Sequence, residues 1–159
     1  MGSMKVLTRV AVAFGGLAWL PRYARYVVGL DRLLQRLTRG RVSLAGLAGL
    51  PSLVLTTTGR RSGQPRSTPL LYTPHQGAYL VAGSNWGGAT RPAWVLNLLA
   101  DPTAEVSVRR RRHPVRARQV VGAQRADLWQ VMLGTWPNYA KYAERTDREI
   151  PVFVLEPRP

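Results

Sequence analysis

The chain has 159 residues and a formal net charge of +15, with 23 lysines and arginines against 8 acidic residues. This length fits one domain with a short additional element, and the excess of arginine indicates an anionic partner: nucleic acid, an acidic lipid surface, or a phosphorylated or carboxylated small molecule. There is no cysteine and there are two histidines, which excludes disulfides and thiol catalysis and argues against a metal site built from histidines.

A basic N-terminal segment, residues 4–50, follows residues 1–3, which we interpret as an expression scar. Its apolar run Ala11–Leu20 contains two glycines and is too short to cross a bilayer. From Ala24 to Arg39 the period is helical, with leucines on one side and arginines on the other: Leu30, Leu33, Leu34 and Leu37 against Arg25, Arg32, Arg36 and Arg39. This amphipathic helix either packs on the following domain with its arginines in solvent or lies on an anionic membrane. A linker of small residues is predicted at 41–49.

Short strands are predicted at the start of the second part of the chain, residues 51–159. Three of them follow one another, at Leu53–Thr58, Arg66–Tyr72 and Ala78–Gly83. The sequence TPHQG separates the second strand from the third and is typical of a hairpin turn.

The next predicted element is a helix of about ten residues, with Thr90 as its N-cap, Pro92 in its first turn and Asp101–Pro102 as its end. The alternating sequences AEVSVRR and PVRARQVV then predict two paired strands joined around Arg111 and His113.

The last predicted elements are helices at Ala123–Leu133 and Asn138–Arg145 and a buried strand at Ile150–Pro157. Strands that follow one another without alternating helices argue against a parallel α/β sheet. We therefore predict a mainly β, α+β fold: a barrel of about six mostly antiparallel strands with inserted helices and the N-terminal amphipathic helix.

The loop between the first two strands, GRRSGQPR at residues 59–66, is the first candidate site. It combines backbone amides, a serine hydroxyl and three guanidinium groups, which together suit phosphate. The loop matches neither the Walker nor the Rossmann glycine motif. An ordinary charged hairpin turn is the alternative.

The loop AGSNWGGATRPAW, residues 82–94, is the second candidate site. Its glycines Gly83, Gly87 and Gly88 would allow a flat ligand to approach the backbone. Hydrogen bonds and an apolar wall would come from Ser84, Asn85 and Trp86. The alternative is a simple crossover loop before a helix.

Two tyrosines, Tyr139 and Tyr142, are three residues apart and so lie on one side of the predicted helix. They either pack in the core or present phenols that orient a carbonyl or nitro oxygen. The basic run Arg109–Arg118 has no interleaved aromatic residue, so no nucleic-acid partner is expected. The absence of paired carboxylates and of serine-hydrolase motifs argues against hydrolysis.

Three motifs in unbroken order, TTTGRRSGQPRSTPLLY, LVAGSNWGGATRPAWVLNLLADP and WPNYAKYAERTDREIPVFVLEP, resemble the deazaflavin-dependent nitroreductase family, the class A coenzyme F420-dependent oxidoreductases of actinobacteria. The likeness covers Leu53 to Pro157. It implies a split β-barrel enzyme, with a deazaflavin-binding domain at 51–159. Such an enzyme transfers a hydride from reduced F420 to an electron-poor acceptor such as a quinone, a nitro compound or an unsaturated lactone.

The resemblance also implies roles for individual residues. The cofactor's phosphate and polyglutamate tail would be held by Arg60, Arg61, Ser62, Gly63, Gln64 and Arg66. The deazaflavin ring would be contacted by Pro69, Ala82, Gly83, Ser84 and Asn85, with Trp94 and Asn97 behind it. The substrate pocket would be lined by Trp136, Tyr139 and Tyr142, and the two tyrosines are the candidate catalytic residues. Trp136 stands where the nitroimidazole-activating member of the family has a tyrosine.

The expected partner is a small hydride acceptor, menaquinone among the candidates. If the acceptor is a lipid quinone, residues 4–40 would hold a cytoplasmic protein on the anionic inner face of the cell membrane. Two alternatives are a split-barrel oxidoreductase that binds flavin mononucleotide, and a barrel without turnover that binds a cofactor or a membrane. The sequence leaves the oligomeric state open.

Overall fold

A computed structural model describes residues 2–17, 20–37 and 49–159. Arg39 and the predicted linker, apart from Gly49, lie outside these residues. The described part contains five α-helices: α1 Gly2–Gly15, α2 Leu20–Leu37, α3 Ala93–Ala100, α4 Gly122–Thr135 and α5 Asn138–Glu144. It also contains seven strands: β1 Ser52–Thr58, β2 Pro65–Leu71, β3 Thr73–His75, β4 Ala78–Ala82, β5 Thr103–Val108, β6 Arg111–Val120 and β7 Val152–Pro157.

The seven strands form one sheet in the order β2-β1-β5-β6-β7-β4-β3, in which every neighbouring pair is antiparallel. The sheet curls into a half-barrel, which confirms the predicted mainly β class with inserted helices. The strand missed by the prediction is β3, which has three residues and pairs only with β4.

Both faces of the central strands are buried. Along β7, Phe153 and Leu155 pack with α3 in one cluster, whereas Val152 and Val154 pack with α4 and α5 in the other. Because successive side chains of a strand point to opposite faces, helices cover the sheet on both sides. This explains why the last strand is apolar without alternation, and it places α3 and α5 on opposite faces of the sheet.

Two local predictions were wrong in position. Helix α3 starts at Ala93 with Pro92 at its N-cap, so Thr90 does not cap the helix. The turn between β5 and β6 is Arg109–Arg110, with φ of 48° and 71°, and does not lie at Arg111 or His113. Two consecutive residues with positive φ form a two-residue turn whose twist matches the right-handed twist of the paired strands, which is why the turn lies there.

The amphipathic helix α2 packs on the barrel through a face that the leucine pattern did not predict. It lies against β2 and the loop after β4, with Val27 and Val28 partly buried and Asp31 buried. Three of the predicted core leucines are exposed: Leu30 by 55%, Leu33 by 52% and Leu37 by 75%. The helix therefore contacts the barrel and still presents an apolar surface to solvent.

Candidate functional site

Two cavities lie next to each other between the sheet and the helices, with volumes of about 730 and 510 Å³. Thr68, Pro69 and Trp94 line both cavities. Volumes of this order are typical of sites for cofactors and other small molecules. The common wall indicates that the cavities are the two ends of one groove.

The larger cavity, called here the basic cavity, is lined by the loop between β1 and β2, by the start of α3 and by α2. Five arginines line it: Arg32, Arg36, Arg60, Arg61 and Arg66. No acidic side chain is among the described residues of its lining. One guanidinium group can donate two parallel hydrogen bonds to two oxygens of a phosphate or a carboxylate. This cavity therefore suits a polyanionic group.

The loop of the basic cavity is a tight turn closed by its own backbone. The Gly63 N–H donates to the Gly59 carbonyl at 2.7 Å, and the Gly59 N–H donates to the Gln64 carbonyl at 2.8 Å. A Cβ on Gly59 would lie 2.7 Å from the Ser62 hydroxyl, and Gly63 has a φ of 66°. Gly63 and Gln64 thus shape the turn but do not line the cavity, whereas Ser62 does.

Asn97 of α3 fixes this loop to the barrel. Its side-chain oxygen accepts a hydrogen bond from the Arg60 N–H at 3.2 Å, and its side-chain amide donates to the Thr57 hydroxyl at 3.0 Å. Asn97 and its neighbour Trp94 are both buried and line the basic cavity. The structure places both residues in the wall of the basic cavity, and their role behind the deazaflavin ring stays a prediction.

The smaller cavity, called here the apolar cavity, brings together most of the remaining predicted site residues: Pro69, Ala82, Ser84, Asn85, Trp94, Trp136, Tyr139 and Tyr142. It also contains residues that sequence reasoning missed, from α1 and α2: Ala11, Phe14, Val27, Val28 and Asp31. A helical period shows that a helix has distinct faces but does not show which neighbour each face meets. The contribution of the N-terminal helices could not be predicted for this reason.

Two glycines of the second loop pack closely within the protein. A Cβ on Gly83 would lie 2.6 Å from Cγ2 of Val95, and one on Gly87 would lie 2.8 Å from the Tyr142 carbonyl. Gly83 lines neither cavity. The glycines thus have a packing role that the sequence did not predict, and approach of a flat ligand to them stays a prediction; the loop itself borders the apolar cavity through Ser84 and Asn85.

This loop has an unusual backbone that is held in place by hydrogen bonds. Asn85 and Trp86 have φ of 45° and 56°, a conformation that is uncommon for residues other than glycine. The Asn85 side-chain amide donates to the Thr90 carbonyl at 3.0 Å. Arg148, which sequence reasoning missed, donates to the carbonyls of Gly83, Ser84 and Gly88 at 3.0–3.1 Å.

Tyr139 and Tyr142 lie side by side at the wall of the apolar cavity, with ring centroids 6.2 Å apart. They are 5% and 2% exposed, and desolvation by burial raises the pKa of both phenols. Both therefore stay protonated at neutral pH and are hydrogen-bond donors. Within the described part of the chain, no hydrogen-bond partner is found for the Tyr139 hydroxyl.

The groove thus joins a strongly basic end to an apolar end with buried phenols. A family model described as F420H(2)-dependent quinone reductase matches residues 21–157. The chain belongs to this family. An F420H(2)-dependent quinone reductase of Mycobacterium tuberculosis strain H37Rv is 38% identical over 144 residues, which cover 88% of this chain and 97% of that protein.

Solved structures agree with the membership in the F420H(2)-dependent quinone reductase family. An F420-H2 dependent reductase, FDR-A, is 36% identical, with a TM-score of 0.62 over 67% of this chain and 94% of that one. A domain-swapped dimer with the same identity has a TM-score of 0.63, over 67% of this chain and 80% of that one. A haem-binding protein from Mycobacterium smegmatis, 20% identical with a TM-score of 0.53, shares the fold alone.

Family membership confirms three sequence-based predictions: the F420-dependent family, the enzyme class of an F420-dependent reductase, and reduced coenzyme F420 as the cofactor. The match begins at residue 21 and so includes nearly all of α2. The roles of the individual site residues stay predictions.

Proposed function

We propose that the protein transfers a hydride from reduced F420 to a quinone, with the cofactor's anionic end in the basic cavity and the quinone in the apolar cavity. The observation that carries this proposal is the common wall of Thr68, Pro69 and Trp94 between the two cavities. Reduced F420, when bound, supplies a hydride from its deazaflavin ring.

The residues of the groove fit this cofactor in their chemistry. Five guanidinium groups and the Ser62 hydroxyl match a phosphate and several carboxylates. We assign phosphate and tail binding to the loop residues Arg60, Arg61, Ser62 and Arg66, with Gly63 and Gln64 shaping the turn. We assign contacts with the ring to Pro69, Ala82, Ser84 and Asn85, with Trp94 and Asn97 behind them.

The apolar cavity fits an apolar quinone as the hydride acceptor. Its polar groups are few, and Phe14, Val27 and Val28 extend its apolar lining toward the N-terminal helices. We infer that a menaquinone-type acceptor lies against Trp136, Tyr139 and Tyr142, with its isoprenoid chain toward α1 and α2. Nitro compounds and unsaturated lactones are further acceptors to be tested, since they also accept a hydride at an electron-poor atom.

The two phenols have a defined task in this proposal. A quinone that accepts a hydride gains negative charge on oxygen and takes up one proton to become the quinol. Tyr139 and Tyr142 donate hydrogen bonds to that oxygen, because burial keeps them protonated. A donor that is already oriented in a water-poor site stabilises such a charge strongly.

The test of the cofactor site is a fluorescence titration of the purified protein with F420. We expect micromolar or tighter binding, and the substitution Arg66→Ala should weaken it about tenfold, because a hydrogen bond to a charged group is removed. Arg158→Ala is the matched control: it removes the same charge from an exposed residue outside both cavities and should leave the affinity unchanged.

The test of turnover is the oxidation of reduced F420 by a menaquinone analogue. Failure to bind F420, together with binding of flavin mononucleotide and a yellow colour, would favour the flavin alternative. Binding of F420 without reduction of any quinone, nitro compound or lactone would contradict the proposed activity and leave a barrel that only binds the cofactor.

A further inference from the structure

Two arginines of the basic cavity come from α2 rather than from the barrel. Arg32 and Arg36 are four residues apart, so they lie on the same side of the helix, and both line the cavity that the loop with Arg60 and Arg61 also lines. The sequence pattern assigned these two side chains to solvent or to a membrane. In the structure both residues are exposed and also line the basic cavity together with the arginine loop.

None of the ion pairs found in the described part of the chain involves one of the five arginines of this cavity. These pairs involve Arg112 with Glu105, Arg118 with Glu156 and Arg125 with Glu149, all outside the cavity. Neither Arg32 nor Arg36 forms a hydrogen bond or an ion pair with a described residue. Like charges collected around one cavity repel each other until an anion enters.

The surface that α2 offers to a membrane is a different one. Its exposed apolar residues are Tyr23, Tyr26, Leu30, Leu33 and Leu37. Each residue of a helix is rotated by about 100° from the one before it. Seen along the helix axis, this apolar stripe therefore lies on one side of the barrel-facing Asp31. Arg32 and Arg36 lie on the other side. The helix can therefore meet lipid with its apolar stripe while these two arginines stay at the cavity.

We propose that Arg32 and Arg36 bind the anionic end of the cofactor, so that α2 and the arginine loop together hold its phosphate or carboxylates. The inference rests on the proposed function, because that function supplies the ligand. It makes α2 part of the cofactor site, and it means that bound cofactor stabilises the contact between α2 and the barrel.

The experiment compares the F420 affinities of two double variants by fluorescence titration at low salt. Arg32→Ala/Arg36→Ala removes the two cavity arginines, and Arg22→Ala/Arg25→Ala removes two exposed arginines of the same helix that line neither cavity. We expect the dissociation constant to rise about tenfold for the first variant and less than twofold for the second, since only the first loses contacts with charged groups. Alanine favours helix, so circular dichroism should show α2 intact in both variants.

A second ligand tests whether the effect acts through the anionic end. The probe is the deazaflavin nucleoside that lacks the phosphate and the tail, and Arg32→Ala/Arg36→Ala should bind it as the unchanged protein does. An equal loss of affinity for this probe would overturn the inference.

The remaining outcomes separate this inference from the proposed function. If Arg66→Ala weakens F420 binding and Arg32→Ala/Arg36→Ala does not, the inference is wrong and the proposed function stands. If the unchanged protein does not bind F420, the proposed function itself fails. If Arg32→Ala/Arg36→Ala binds F420 normally but no longer sediments with phosphatidylglycerol vesicles, the two arginines serve lipid binding and the inference is overturned.

Discussion

Burial determines what the phenols of Tyr139 and Tyr142 can do. Each ring packs against a tryptophan, Trp129 beside Tyr139 at 5.7 Å and Trp86 beside Tyr142 at 6.1 Å between centroids. The guanidinium of Arg145 lies 5.5 Å from the Tyr142 ring. The rings are thus fixed by packing, and the raised pKa of each phenol makes it a donor rather than a base over the neutral and mildly alkaline range.

Replacing either tyrosine by phenylalanine should lower turnover without changing cofactor affinity. We expect kcat for a quinone to fall on the order of 10²-fold, since one donor to the developing negative charge is lost. Steady-state kinetics and F420 titration would measure the two effects separately. Tyr79→Phe, a tyrosine of β4 outside both cavities, is the control.

Turnover that is unchanged in both Tyr139→Phe and Tyr142→Phe would remove the phenols from the mechanism. In the unchanged protein, an inflection of kcat at the ordinary tyrosine pKa near 10 would also contradict their protonated, buried state. The positions of these tyrosines were predicted from their spacing and from the resemblance. Their burial was one of the two alternatives that the sequence left open, and it was not decided there because it depends on tertiary contacts such as those with Trp86 and Trp129.

At the scale of elements, the loop after β4 shows how the site depends on contacts made far along the chain. Arg148 precedes β7 and binds three carbonyls of the loop. Gly83 allows the loop to pack closely on α3 and on Pro151. The loop's left-handed residues, Asn85 and Trp86, are therefore held from outside the loop, so its rigidity is a property of the surrounding elements.

Substituting alanine at Gly83 distinguishes packing from ligand approach. The added Cβ would lie 2.6 Å from Val95 and 2.8 Å from Pro151, so Gly83→Ala should destabilise the fold by about 1–3 kcal/mol. Thermal unfolding would show this as a melting temperature lower by about 2–4 °C for each kcal/mol. Gly134→Ala, in open space on α4, should not lower it. Unchanged stability with weakened F420 binding would support the ligand-approach interpretation.

The elements themselves were largely predictable, and their errors have local causes. The chain order of the strands and the positions of α2 to α5 followed from periodicity and turn residues, whereas α1 was not predicted. The predicted turn at TPHQG lies at Gln76–Gly77, where both residues have positive φ, but it joins β3 to β4 and not β2 to β4. The cap at Thr90 was wrong because its side chain faces Asn85 instead. The face of α2 that meets the barrel depends on tertiary contacts, which a single helical period does not contain.

At the scale of the whole molecule, the N-terminal helices are built into the site. The Asn138 side-chain amide donates to the Val12 carbonyl of α1, and Arg145 donates to the Gly16 carbonyl. Phe14 of α1 and Val28 of α2 line the apolar cavity. Within the described residues, no helix is long and apolar enough to cross a membrane. The exposed stripe of α2 is the surface that we propose for peripheral contact with an anionic membrane.

Substitution of apolar residues in this stripe should weaken only the binding of the protein to membranes. We expect the unchanged protein to sediment with vesicles that contain phosphatidylglycerol at low salt, and Leu30→Asn/Leu33→Asn to remain mostly in the supernatant, because buried apolar area is lost. Val121→Asn replaces an equally exposed apolar residue on α4's N-terminal side and should sediment normally. A protein that stays in solution at low salt would contradict peripheral association.

The common wall between the cavities bears on how such an enzyme can diversify. Substitutions on the far side of the apolar cavity, at Phe14, Val27 or Trp136, alter the space offered to an acceptor and leave the loop arginines untouched. A lineage can therefore explore new acceptors while keeping one electron donor. For the same reason, libraries that vary only the acceptor side of the wall are a rational starting point for redesigning this protein as a biocatalyst.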